Sequence, residues 1–291
     1  ANRALSYVDP MMKYKDTAEG IGFYEFIKKL DKNFDSNAEL LVKQLVRAQM
    51  CIFRKENLTL SLTGEFNFKS LLEGEMLQFN RMLYEMPCVK AVPTFNMEKK
   101  NEGFKTASKV QYVASGGCFE KEGQEYTGAL KVLKTIFSYD YLWVNVRVTG
   151  GAYGCMCSFS RNGYGFFTSY RDPNLSATLN VYKKAAEYVR NFEAGQRDMT
   201  KYIIGTISGI DQPLEPAALG DRSFHAYQSG VTVEMIQKER NQVLDATEET
   251  IRSLAGYIET MMDAGTVCAI GNDRKLEEEK ELFKQVSSLT Q

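Results

Sequence analysis

A chain of 291 residues, 44% apolar and 25% charged, has the composition of a soluble globular protein and the length of two domains, or one and a part. Its 36 basic and 37 acidic residues leave a formal charge of -1, which excludes a general attraction to nucleic acid or to anionic membranes; any binding is local. A single histidine, His225, excludes a histidine-paired metal site, and six cysteines at scattered positions exclude a disulfide framework or zinc knuckle and read as reduced thiols of an intracellular protein.

No run of 18 apolar residues occurs, and "ANRALSYVDPMMKYKD" lacks the order of a signal peptide, so neither a membrane span nor a targeting segment is expected. Residues 18–57 read as two helices: Phe23, Phe26, Ile27, Leu30 and Phe34 fall at helical spacing. Ala38, Leu41, Val42, Leu45, Ala48 and Ile52 repeat the pattern after an N-cap offered by Ser36. "LTLSLTGEF" then alternates as a strand does. A helical stretch at 69–84 leads into "EMPCVKAVPTFNMEKKNEG", where two prolines and the loss of any period place a linker at 87–102, dividing 1–86 from 103–291.

Beyond it the pattern predicts a strand at 105–114, a break at Gly116-Gly117, a helix at 127–137, and a strand at 141–148 that holds Arg147. A hairpin follows, turning at Asn162-Gly163. Asp172 is placed to cap a helix beginning at Pro173, and three or four more helices, a short strand "TVCAIG" and a charged terminal helix complete the chain. Tight hairpins separated by helices predict an α+β layer fold, an antiparallel-rich sheet with helices packed on one face.

The candidate chemistries are few. Cys155 and Cys157 alternate with Phe159 on one strand face, which favours packing over a cysteine nucleophile. "TGGAYG" lacks the lysine and the following helix of a phosphate loop, and "DRKLEEEKELFKQ" carries the opposite charges of a solvated helix. Arg147 and Tyr153 stand out, because Gly150 and Gly151 between them permit a bulge that would aim both side chains at one place. From spacing alone, a solvated strand arginine and an edge tyrosine remain the more ordinary reading.

A resemblance shifts that balance. "VRVTGGAYG" followed by "SYRDPN" at 169–174 resembles the presequence-protease branch of the pitrilysin/insulinase zinc metallopeptidases, in its C-terminal half. "GIGFYEFIKKLDKNFD" at 20–35, "NLTLSLTGE" at 57–65, "IIGTISGIDQPLEPAALGDR" at 203–222 and "GVTVEMIQKERNQVLDAT" at 230–247 are similar to the family in the same order. The resemblance implies a pitrilysin-type fold, with 1–86 as the end of a third domain and 103–291 as a complete fourth. It implies a peptide-degrading zinc enzyme closing like a clamshell, whose zinc and general base belong to an N-terminal half outside this sequence, leaving no metal site here. In that scheme Arg147 and Tyr153 reach the substrate and the oxyanion, with Gly150 and Gly151 beside them. The partners are then the N-terminal catalytic half, peptide substrates and, through an incompletely covered 1–86, a second copy of the chain. The compartment is the bacterial cytoplasm or an organellar matrix. A non-catalytic peptide-binding or partner-binding subunit of the same fold is the alternative.

Overall fold

In the computed structural model, residues 1–65, 73–85, 93–120 and 124–289 are described. They form two compact units interleaved in sequence. The larger takes Ala1–Phe23, Phe95–Asp211 and Glu234–Gln291; the smaller takes Tyr24–Thr94 and Gln212–Val233. The division in space therefore differs from one drawn along the sequence at 87–102: the first 23 residues belong with the later sheet, and a segment beyond 211 belongs with the early helices.

The larger unit is built on a six-stranded sheet of β1 (Glu102–Thr106), β2 (Gln111–Cys118), β3 (Gly154–Phe159), β4 (Tyr164–Asp172), β5 (Cys268–Asn272) and β6 (Gln285–Ser288), in the order β3-β4-β2-β5-β1-β6. Pairings at the β3 end are antiparallel, while β1 runs parallel to both β5 and β6. The fold class is thus α+β, as the alternation of hairpins and helices predicts. Val113, Cys157, Phe167 and Ala269 point from one face into the main core, where Leu130, Leu133, Ile136, Phe137, Tyr182 and Ile258 of the helical layer meet them. The opposite face is covered in its middle by Ala4, which packs on Phe104, Ala114 and Cys268. That cover comes from helices unmarked in the sequence reading, Asn2–Leu5 and Pro10–Glu19, the second capped by the Asp9 side chain with Pro10 in its first turn.

Several expectations give way. The strand at 141–148 is helix: Ala129–Ile136 continues through wider π-type turns at Phe137–Tyr141 and Trp143–Thr149. Phe137, Tyr141, Leu142 and Val146 are its buried side chains, at steps of four and five, whereas Trp143, Val144 and Val148 are exposed. The alternation of "LWVNVRV" was β-like, yet a continuous apolar stripe against the sheet wins over local propensity. Gly116 and Gly117 do not break a strand either. They lie within β2, where an added Cβ would sit 2.3 Å from the Gly165 carbonyl oxygen and 2.4 Å from the Ala264 side chain, so the sheet and the helix Ala255–Asp263 approach there because no side chain intervenes. The charged end of the chain is only partly helix, Asp273–Glu278, and returns to the sheet as β6.

In the smaller unit Phe34–Ile52 and Pro216–Gln228 are helices, as is most of Ile21–Lys32, and none of the three buries a residue. The helix starting at Phe34 follows Asn33, and Ser36 sits within its first turn rather than capping it. "LTLSLTGE" at 58–65 forms no strand. Leu58, Leu60 and Leu62 are exposed, because alternation becomes a strand only beside a neighbour that takes its backbone bonds. Phe66, the last residue of that expected strand, lies outside the described residues, as do 69–72 of the expected 69–84 helix and 87–92 of the expected linker; Glu75–Met82 is helical.

Candidate functional site

The long helix that begins at Ala129 ends where two glycines allow it to. Gly151 adopts φ +78°, a left-handed turn that a side chain resists, and a Cβ on Gly150 would lie 2.6 Å from the Val146 carbonyl oxygen. The Gly151 N–H donates to the Arg147 carbonyl at 2.9 Å and the Ala152 N–H to the Val146 carbonyl at 3.1 Å, so the final carbonyls are satisfied as the chain reverses into β3. Arg147 therefore stands on the last turn of a helix, not on a strand, and Tyr153 stands at the entry to β3, the edge strand of the sheet. The glycines make a helix cap and no bulge.

The bulge lies elsewhere. β4 pairs with β2 in regular register from Cys118↔Tyr164 to Val113↔Ser169, then slips by one residue, so that Gln111 faces Asp172. Tyr170 and Arg171 share the place opposite Tyr112, and Arg171 has φ +48°. The inward alternation of Gly165, Phe167 and Ser169 would bury residue 171; with the extra residue, Arg171 is exposed and Asp172 turns inward. Asp172 is fully buried. Its carboxylate accepts from Ser169 Oγ at 2.6 Å, Thr178 Oγ1 at 2.7 Å and the Asn174 N–H at 2.8 Å. It does not cap a helix at Pro173. The helix starts at Ser176, and Asp172 instead folds its own turn, from which Asn174 Nδ2 donates to the Gly150 carbonyl at 2.6 Å. "SYRDPN" thus clamps the end of the Arg147 helix to the end of β4.

This clamp brings Arg147 and Tyr153 together. The Arg147 guanidinium carbon lies 4.1 Å from the centre of the Trp143 ring and 5.7 Å from that of Tyr153. Arg171 reaches the Tyr153 ring too, at 5.5 Å, and its carbonyl accepts the Tyr153 N–H at 3.3 Å. Tyr170 meets Tyr153 edge-on with centroids 5.5 Å apart. Tyr153 is 57% exposed and its hydroxyl has no hydrogen-bond partner among the described residues. Trp143, Arg171 and Asn174 carried no role in the sequence reading. The signal available for the last two was the Asp-Pro-Asn turn chemistry, whereas Trp143 meets Arg147 only because both lie on a helix, four residues apart.

Neither cysteine of β3 is poised to react. Burial pushes the Cys157 thiol up to about 12 and the Cys155 thiol up to about 11, the latter against the opposing pull of Arg147. Iodoacetamide at pH 7.5 is expected to leave Cys157 unmodified in the folded chain and to label it once urea unfolds the protein; mass spectrometry showing rapid labelling of native Cys157 would contradict the packing role. His225 lies in the smaller unit, on the helix Pro216–Gln228. Among the described residues no group of three histidine, cysteine, aspartate or glutamate side chains is placed to hold a metal ion. No helix among them is long and apolar enough to cross a membrane.

The sheet and its helical layer define the class: an α+β domain of the kind found in pitrilysin-type proteases. A crystal structure of a protease from Helicobacter pylori superimposes with a TM-score of 0.50 at 14% identity, covering 72% of this chain and 53% of that one. Residues 101–273 match the family described as PreP C-terminal domain, and the chain belongs to that family, within the C-terminal half of pitrilysin-type proteins. It is 38% identical over 291 residues to Protein HypA of Clostridium perfringens, covering 99% of this chain and 29% of the relative. It is 30% identical over 255 residues to presequence protease 1, chloroplastic/mitochondrial, of Arabidopsis thaliana, covering 87% of this chain and 24% of the relative. The chain thus spans less than a third of the length of these curated relatives.

Proposed function

We propose that this chain supplies the substrate-holding and oxyanion-binding side of a peptide-degrading zinc metallopeptidase whose metal and general base belong to an N-terminal half of the same protein. The observation that carries the reading is the pairing of an exposed Tyr153, whose hydroxyl has no hydrogen-bond partner among the described residues, with the Arg147 guanidinium beside its ring. In this reading residues 1–86 close a third domain and 103–291 make a fourth, and the peptide lies between the halves. The described residues offer no ligand set that fits zinc, so the chemistry of this chain is that of its own donors. Arg147 donates to a peptide carbonyl or carboxylate in a charge-assisted bond, the backbone at Gly150 and Gly151 leaves room for the chain, and the Tyr153 O–H donates to the oxygen that becomes negative as the scissile carbonyl is attacked.

A phenol that bonds mainly in the transition state should matter to kcat more than to KM. In the full-length protein, Tyr153→Phe is expected to lower kcat by about 100- to 1,000-fold, the range for loss of one oxyanion donor, with KM changed by less than about threefold. Steady-state cleavage of a quenched fluorescent peptide measures both. An unchanged kcat would remove the oxyanion role and leave the non-catalytic binding subunit as the better reading.

A further inference from the structure

We propose that Arg171 is a specificity-determining residue: with Arg147 it forms a two-guanidinium receptor at the Tyr153 ring that selects peptides bearing a carboxylate near the reacting carbonyl. The inference rests on the reading of Arg147 and Tyr153 as substrate-facing, and adds to it a class of substrate.

Three observations carry it. First, the two cations are uncompensated. Neither Arg147 nor Arg171 makes an ion pair among the described residues, and the acid adjacent in sequence, Asp172, is fully buried and committed to Ser169, Thr178 and the Asn174 N–H. A carboxylate turned outward there would have neutralised the corner; the one-residue slip of β4 turns it in and turns Arg171 out. Second, the arrangement is built at a conformational cost. Arg171 holds φ +48°, a region that L side chains avoid, where glycine would sit freely. A bulge that needed only to bend the strand would be served better by glycine, so the arginine side chain is what the position retains. Third, both guanidiniums are oriented. Arg147 lies 4.1 Å over the Trp143 ring and Arg171 5.5 Å from the Tyr153 ring, so aromatic neighbours position both cations while their N–H groups make no hydrogen bond among the described residues. A carboxylate is the planar anion a peptide carries, and it matches that fork in two parallel hydrogen bonds.

The carboxylate has two sources, a glutamate or aspartate side chain and the peptide's own C-terminus, and the test separates them. Trp143 is the single tryptophan of the chain and is stacked on Arg147, so its fluorescence reports occupation of the corner directly, without activity and without the zinc half. The probes are Ac-Ala-Ala-Glu-Ala-Ala-NH2, the same peptide with Gln for Glu, and Ac-Ala-Ala-Gln-Ala-Ala with a free C-terminus. At low salt the Glu peptide or the free acid is expected to bind at least tenfold more tightly than the neutral amide, and whichever does so identifies the source. Added salt should weaken that binding. Arg171→Gly, which suits the backbone at this position, is expected to unfold at the same temperature or above and to lose the tenfold preference; Arg171→Lys should keep part of it. A structural role alone would give the reverse, a lower unfolding temperature with binding intact. Equal binding of the charged and neutral peptides, absence of binding by all three, or a preference unchanged in Arg171→Gly would each overturn the proposal. The oxyanion role is judged separately, since Tyr153→Phe in the full-length protein changes kcat whether or not the carboxylate preference exists.

Discussion

Arg3→Met is expected to destabilise the larger unit by about 3–5 kcal/mol, the range for removing one partner of a buried ion cluster. The Arg3 guanidinium donates to Glu102 at 2.7 and 2.9 Å and to Asp16 at 2.6 Å, and the Tyr7 hydroxyl donates to the same Glu102 carboxylate at 2.9 Å. All four side chains are buried, and Asp16 is only 1% exposed. Burial alone would favour neutral arginine, yet the bonds to Glu102 and Asp16 hold the guanidinium more firmly protonated than in water. Methionine fills much of the volume but leaves two carboxylates out of water without the guanidinium that bridges them. The cost is therefore that of stranded charge more than of a lost attraction, which a second experiment can separate. Adding Asp16→Asn and Glu102→Gln to Arg3→Met removes the stranded charges and should recover a large part of the loss. Urea unfolding of the single and triple variants measures both; a single-variant loss below about 1 kcal/mol would mean that water reaches the cluster.

The same cluster explains why the place of the first 23 residues was not legible. Ala1–Phe23 belongs with the sheet because Arg3, Tyr7 and Asp16 complete a charge network with Glu102 at the head of β1, across nearly a hundred residues. No local pattern announces such a partner. The hairpin was legible for the opposite reason: β3 and β4 are neighbours in sequence, their alternation is regular through Phe167 and Cys157, and Asn162-Gly163 sits between them, with Gly163 at φ +81°. The helix through Arg147 was missed because the residues that bury its stripe, Phe137, Leu142 and Val146, are interleaved with exposed valines and a tryptophan, so the period is visible only once the sheet beneath is known. β6 is four residues long, follows a charged helix and pairs in parallel with β1, a contact that depends wholly on tertiary structure. For the candidate site, the sequence pointed to Arg147 and Tyr153 as a pair but not to the elements that carry them. Arg147 and Tyr153 meet, but through a helix cap and a bulge in β4 whose position is fixed only by its register with β2.

Asp172→Ala is expected to destabilise the larger unit by about 3 kcal/mol and at the same time to disorganise the corner, because three donors that are buried or nearly so would lose their acceptor. Ser169 and Thr178 are almost fully covered, so their hydroxyls depend on protein acceptors. Their hydroxyls can rotate toward other acceptors, which keeps the loss at the lower end of what three unmade bonds would cost. The Asn174 N–H cannot rotate. Once it is released, the turn that aims Asn174 Nδ2 at the Gly150 carbonyl loosens, and with it the link between the end of the Arg147 helix and the end of β4. Asp172→Asn is the informative companion. Its amide oxygen can still receive the Asn174 N–H while its NH2 faces two hydroxyls that can turn to accept, so the expected loss is about 1 kcal/mol and the corner should persist. Urea unfolding gives the stabilities, and the emission of Trp143, stacked on Arg147, reports the corner independently of the global transition. If Asp172→Ala unfolds at the parent's midpoint and leaves Trp143 emission unchanged, the clamp is not what holds Arg147 and Tyr153 together. If stability falls while emission and peptide binding are retained, Asp172 stabilises the fold without setting the site. The coupling argued from its three hydrogen bonds requires both to change in Asp172→Ala and neither to change much in Asp172→Asn.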